Sequence, residues 1–339
     1  MIAARVAVLV CAGICCTAVP RDAGLASGAC RAPVSASVPL TGRVDELAAA
    51  SPRGAVIAEV GAPGSTVRFL PRDALVVVDM SGMGQMHRLQ TGKYQTAPGL
   101  AGTVHGNQLY AVVDSTLYTI DGTDGRLLRR QSLPLQAVGW PAAVSTGADG
   151  SLFVIGQAPG SEAAQIISFS QMPDLGLHAR WRAALGLTHA GTWVGGAGGS
   201  TVAVYLPDQH DSSGIMSFLD SSTGAQRASY QVPMPPSGSN TAIDRLYLAG
   251  AGHVQARTLS SGKLAAVVEG DQPFASSAQG TVAFARSGRI VVAGGKSLRQ
   301  LVTVAYPGGL PPTAIAWQGP DILVGNEAGV ARLSLRECG

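Results

Sequence analysis

Leu109-Tyr-Ala-Val-Val-Asp114 is a short apolar run that opens after the turn Gly106-Asn107, and Thr116-Leu-Tyr-Thr-Ile120 follows it at once. Gly and Asn tolerate the positive φ that tight hairpins require, so the pair reads as two strands of one antiparallel sheet. The first run has counterparts along the whole chain: Leu75–Met80, Leu152–Gln157, Val202–Pro207, Leu246–Ala251, Ile290–Gly295 and Ile322–Glu327. The starts of the seven runs are spaced 34, 43, 50, 44, 44 and 32 residues apart. A period near 40 with a β-rich run in each unit is the signature of a β-propeller. The expected fold is therefore all-β, a seven-bladed β-propeller of four-stranded antiparallel blades. Each blade buries its faces only against its neighbours, so the repeat argues for one closed ring rather than two domains.

Composition agrees. The 339 residues include 44 Gly and 20 Pro, and only 13% are charged, which suits many short strands joined by tight turns. Helical periodicity is lacking beyond the first twenty residues except for a hint of a turn at Val44–Ala50. The expected organisation is a signal peptide over 1–26, a lead-in segment over 27–53 and a single propeller over 54–339.

The first residues read as a secretion signal. Arg5 supplies a positive charge and Val6–Val19 an apolar stretch of the right length. That stretch is shorter than the roughly 20 residues of a membrane span. An uncleaved anchor and a lipid on Cys15, Cys16 or Cys30 remain open alternatives. The lipid fits less well, since Ile14 and Cys15 stand where a small residue is wanted and Ser27 where an aliphatic one is. Secretion or an extracytoplasmic, envelope location follows.

Of five cysteines, Cys11, Cys15 and Cys16 lie in the signal. The mature chain keeps Cys30 and Cys338, near its two ends. A propeller brings its ends together, and in an oxidising compartment these thiols are expected to form a disulfide that locks the ring. The chain-entropy model gives so long a loop about 4–5 kcal/mol. A free or lipidated Cys30 is the alternative.

Closure is legible in part. After Gly329–Leu333 only a few residues remain, so the outer strand of the last blade is expected to be short or missing. Ala55–Val60 (AVIAEV) is expected to complete that blade, with Thr66–Leu70 opening the first.

Several third strands end on similar turns: Asp121-Gly-Thr-Asp-Gly125, Asp220-Ser-Ser-Thr-Gly224 and Thr258-Leu-Ser-Ser-Gly262. The leading side chain can accept backbone N–H groups of the turn, and the Gly takes a left-handed conformation. Together with Leu117-Tyr-Thr-Ile-Asp121 and Phe218-Leu-Asp220, these turns resemble the YVTN or quinoprotein-like repeats of secreted propellers, whose strand and turn follow the pattern aromatic or aliphatic–Asp–x–x–Thr–Gly. The resemblance covers about Thr66–Leu335 at the level of repeats. In the quinoprotein alcohol dehydrogenases a Trp follows the Thr-Gly turn in most blades. Here AQRASY follows Gly224 and RLLRRQ follows Gly125. Cys15-Cys16, the one vicinal pair, lies in the signal. No cofactor is expected on these grounds. Calcium at the Asp121–Gly125 turn and a quinone stay as open alternatives.

Candidate chemistry is sparse. The six His are scattered. Asp208-Gln209-His210-Asp211 gathers Asp208, His210 and Asp211 in one loop and is a candidate metal site or simply an exposed turn. Gly195–Ser200 is Gly-rich, but it lacks the Lys-Ser/Thr ending of a phosphate cradle and precedes a strand. Trp140, Trp193 and Trp317 fall at comparable places, near or within the innermost strands of three blades, and form a candidate ligand surface at a channel mouth. Blade-to-blade packing is the competing reading, and Trp181, placed in an outer strand, is expected to pack. The longest irregular segments are expected at Gln171–Leu187 and Val232–Ala242.

The formal charge is +3, and the densest basic cluster is Arg126, Arg129 and Arg130. Such a cluster reads as a solvated strand end, so nucleic acid is not an expected partner. The expected role is a non-catalytic binding or scaffold propeller, monomeric, whose partner is an extracellular or envelope protein or a small ligand. A propeller enzyme (a cofactor-dependent dehydrogenase or lactonase-like hydrolase) and the propeller subunit of a redox complex are the alternatives.

Overall fold

The computed structural model describes residues 29–336 apart from 31, 51–53, 62–73, 81–85, 90, 92–96, 104–106, 139–141, 188–192, 199, 208–212, 233–237, 243, 278 and 295–296. The chain forms seven antiparallel sheets arranged as a propeller. The first blade, from the channel outward, is Val44–Ala49, Ala55–Val60, Ala74–Asp79 and Met86–Arg88. The second is Gly99–Gly102, Gln108–Val113, Thr116–Asp121 and Leu127–Ser132. In the third, Gln136–Ala137 and Val144–Thr146 both pair with Leu152–Gln157, followed by Ala163–Gln171 and Leu177–Leu187. The fourth is Trp193–Gly198, Thr201–Pro207, Gly214–Asp220 and Gln226–Val232, and the fifth is Gly238–Ala242, Arg245–Gly250, His253–Thr258 and Leu264–Glu269. The sixth is Asp271–Ser276, Val282–Arg286, Arg289–Gly294 and Arg299–Ala305, and the seventh begins with Ala314–Gln318, Asp321–Asn326 and Gly329–Leu333. Among the described residues the one helical element is the short turn Pro307–Gly309, and no helix is long and apolar enough to cross a membrane.

The strands form because each interior strand is covered on both faces. Leu109, Ala111 and Val113 pack towards the first blade, while Tyr110 and Val112 pack towards the third. Period-two alternation then has no polar side, and the strand reads as a continuous apolar run. Seven such clusters sit one between each pair of neighbouring blades, so the core is divided into seven wedges around the ring.

The ring closes through the N-terminal region, and two details differ from expectation. Val34–Pro39, within the segment expected as a lead-in, is the outer strand of the seventh blade, pairing antiparallel with Gly329–Leu333. Leu40 N–H donates to Ala328 O at 3.2 Å, and Ser334 N–H donates to Pro33 O at 3.2 Å. Ala55–Val60 is instead the second strand of the first blade, every residue of it buried. Val44–Ala49, where the sequence hinted at a helical turn, is that blade's innermost strand. A mainly apolar six-residue run such as AVIAEV, with Glu59 its one charged residue, belongs inside a sheet, and a polar-alternating one such as VSASVP belongs at its rim. That difference, rather than position in the chain, sorts the two segments.

The apolar runs also occupy two positions, not one. Ala74–Asp79 and Arg289–Gly294 are third strands, whereas the corresponding runs of the other five blades are second strands. The two short spacings, 34 and 32, follow from this, since each measures from a third strand to a second. Ala29–Cys30 adds to the outer edge of the sixth blade in parallel, Ala29 opposite Thr303 and Cys30 opposite Val304.

Candidate functional site

Strand 1–2 turns and strand 3–4 turns project from one side of a propeller, strand 2–3 turns from the other. On the first side, between the second and third blades, lies an open cleft of about 400 Å³. Thr103 and Gln108 flank one wall at the strand 1–2 turn of the second blade. Asp149, Gly150 and Ser151, from the equivalent turn of the third blade, form another. Ser170, Gln171 and Arg180 complete it from the third and outer strands.

The backbone sets each polar group. Gly150 has φ +79°, which lets the turn close, and Asp149 Oδ1 accepts Ser151 N–H at 3.0 Å. Thr103 Oγ1 accepts Gln108 N–H at 3.1 Å, and the Thr103 hydroxyl is 3.2 Å from Gln108 O. In the third blade, Ser168 faces Trp181 and Phe169 faces Ala179, so Arg180 is the extra residue of a β-bulge. A bulge re-aims a side chain, and Arg180 Nη1 reaches Asp149 Oδ2 at 2.8 Å and also donates to the Ser151 hydroxyl. Partial burial raises the Asp149 pKa, but the Ser151 hydrogen bonds and the Arg180 guanidinium outweigh it and hold the carboxyl below its usual range. The group is a fixed negative charge against a fixed positive one. Chemically the cleft offers oriented donors and acceptors, with Gln171 Nε2 buried and without a hydrogen-bond partner.

Of the residues singled out from sequence, several lie outside the described residues. Asp208, His210 and Asp211 lie outside the described residues, in the sequence between Thr201–Pro207 and Gly214–Asp220. Among the described residues no group of three or more His, Cys, Asp or Glu is placed to hold a metal ion. Trp140 lies outside the described residues. Trp193 opens its innermost strand and pairs with Tyr205, late in the next strand. Trp317 stands near the end of its innermost strand and pairs with Ile322, early in the next. These two therefore stand at opposite ends of equivalent strands. Trp317 packs between the sixth and seventh blades, and its Nε1 donates to Ala275 O at 3.0 Å. Gln171–Leu187, expected as a loop, holds an eleven-residue strand after a tight turn in which Met172 N–H donates to Gly176 O at 2.7 Å. Gly238–Ala242, at the end of the other expected loop, is the innermost strand of the fifth blade.

Two aromatic residues join blades in a way the local motif did not show. Trp181 lies against Gly224 of the next blade and donates from Nε1 to Ser221 O at 2.9 Å. Tyr230 lies against Gly262 of the blade after, stacked on Phe218 with ring centroids 5.3 Å apart. In both cases an outer-strand ring covers the Gly of the following strand 3–4 turn. The Asp220 carboxylate accepts Ser222 and Thr223 N–H at 2.8 and 3.0 Å, as its turn predicted, whereas the Thr258 hydroxyl accepts Arg245 Nη1 at 2.6 Å instead.

No family model and no curated protein sequence matches the chain. Among solved structures it is similar to BamB from Moraxella catarrhalis, with a TM-score of 0.51 and 10% identity over 86% of this chain and 84% of that one. At that identity the likeness is one of fold. The class defined is a seven-bladed β-propeller.

Proposed function

We propose that this protein is an extracytoplasmic, envelope-associated propeller that binds a protein partner without catalysing a reaction. The observation that carries this reading is the Asp149–Arg180–Ser151 set in the cleft. An acid–base catalyst works best with a pKa near the ambient pH. Asp149 is held the other way, as a permanently charged acceptor satisfied by its own neighbours. Such an arrangement presents fixed charges to a partner's backbone or side chains. The envelope location rests on the signal-like residues before Ala29 and on the likeness of fold to BamB. A Cys30–Cys338 disulfide fits the same compartment. The Ser334–Pro33 hydrogen bond and the packing of Cys30 and Leu335 on one cluster support it, while Cys338 lies outside the described residues.

The test is a photoreactive amino acid at Ser170 in the full-length chain, expressed in its own cells. A discrete crosslink that Arg180→Glu removes, and that a probe at Ile215 does not reproduce, supports the reading. A crosslink indifferent to Arg180→Glu defeats the cleft as the binding site. A stoichiometric redox cofactor in the native mass spectrum of the purified protein defeats the non-catalytic assignment.

A further inference from the structure

The outer edge of the fifth blade is unlike the other described rim edges. Leu264–Glu269 pairs with His253–Thr258 on one side, and its other side ends the sheet. Sheet edges with free backbone groups recruit further strands unless charge, proline, shortness or a cover prevents it. Each of the other rims has such a guard. The outer strand of the first blade is the three-residue Met86–Arg88. Those of the second, third and fourth blades carry Arg129 and Arg130, Arg180 and Arg182, and Arg227 inside the strand. The sixth is covered by Ala29–Cys30. The seventh alternates with serine and ends in Pro39.

Leu264–Val268 is instead five apolar residues in succession, without Gly or Pro. Leu264 is 45% and Val267 44% exposed, two of the six exposed large hydrophobic residues among those described. Charge appears only at the two ends, Lys263 before the strand and Glu269 closing it.

We propose that this edge is the contact of a homodimer, in which two copies pair their Leu264–Glu269 strands antiparallel about a two-fold axis through Ala266. The charges select the arrangement. With Ala266 opposite its own copy, Ala265 faces Val267, Leu264 faces Val268 and Lys263 faces Glu269, each pair occurring twice. A parallel pairing in register sets Lys263 against Lys263 and Glu269 against Glu269, and like charges directly opposite oppose pairing. An isologous contact of this kind is closed, so it stops at two copies. Because the strand lies on the circumference, two rings meet rim to rim and leave the cleft between the second and third blades open. Glu269 already meets Arg286 of its own chain at 3.0 Å, with its carboxylate 71% exposed, which leaves it accessible to a second cation. One strand pair is smaller than the roughly 800 Å² per partner of a standard interface, so self-association is weak.

Sedimentation velocity of the mature chain, from low to high micromolar concentration, tests this. The expected result is a reversible monomer–dimer equilibrium that Val267→Lys abolishes. Lys263→Glu alone and Glu269→Lys alone should each lose the dimer, and the Lys263→Glu/Glu269→Lys double variant should recover it. Unchanged melting temperatures would show that these surface variants fold. A chain that stays monomeric throughout overturns the proposal, including the case in which Val267→Lys instead releases a different protein from this edge. A dimer indifferent to Val267→Lys and to both charge reversals overturns it as well.

Discussion

Glu46 stands on the innermost strand of the first blade, opposite Glu59 in the register. Its Oε1 accepts Leu100 N–H of the next blade at 3.3 Å, and its Oε2 is buried without a hydrogen-bond partner. Burial pushes its pKa from 4.5 up to about 8, the Leu100 hydrogen bond only partly offsetting it. The folded chain therefore holds a proton that the unfolded chain has released, and stability falls as pH rises from about 4.5 to about 8. Glu46→Gln should flatten that fall and raise the melting temperature at pH 8 while changing it little at pH 4. Parallel thermal melts of the two proteins across this range check it. Asp149 acts in the opposite sense. Its depressed pKa makes its contribution present at neutral pH and lost as pH falls through the folded value. Asp149→Asn should therefore lower the melting temperature at pH 7 and converge on the parent in acid. The sequence showed Asp149 only as a turn former. Nothing local to it signals Arg180, which reaches it through a bulge in a strand that had read as a loop.

The strand 3–4 turns join neighbouring blades as well as reversing the chain. Gly224 has φ +74°, and a Cβ there would lie 2.4 Å from the Trp181 ring. Gly262 has φ +65°, and its Cβ would lie 2.1 Å from Tyr230. Alanine at either position meets both backbone strain and an aromatic wall, at a cost of about 2–4 kcal/mol each, by the sum of strain and overpacking. Gly150→Ala has the same φ penalty at +79° but open space around it, and should cost about 1–2 kcal/mol. Chemical denaturation of the three variants checks the order. The turns themselves were legible, because Asp-x-x-x-Gly is local chemistry. Their second role was not, because the covering ring arrives from the preceding blade, 40 or more residues away in the case of Trp181.

Closure of the ring rests on Val34–Pro39, which links the first described residues to the seventh blade. Deleting residues up to Pro39 would expose the edge of Gly329–Leu333 and remove Val38 from the cluster between the seventh and first blades, uncovering Val330. Such a truncation should lose cooperative unfolding and bind a hydrophobic dye, whereas truncation before Ala29 should leave the melt intact. If the proposed Cys30–Cys338 bond forms, Cys30→Ser and reductant should lower the melting temperature of the full-length chain equally and not additively, the upper bound being about 4–5 kcal/mol. Fold class, blade number and the need for an N-terminal closing strand were all present in the chain as written. They depend on burial of both faces of each inner strand, which leaves a continuous apolar run at every repeat. Which strand closes the ring, which runs are second and which third, and how Asp149 and Arg180 meet were settled only when the blades packed. Second and third strands are buried alike and so read alike, and a bulge or a register is fixed by partners that are distant in the chain.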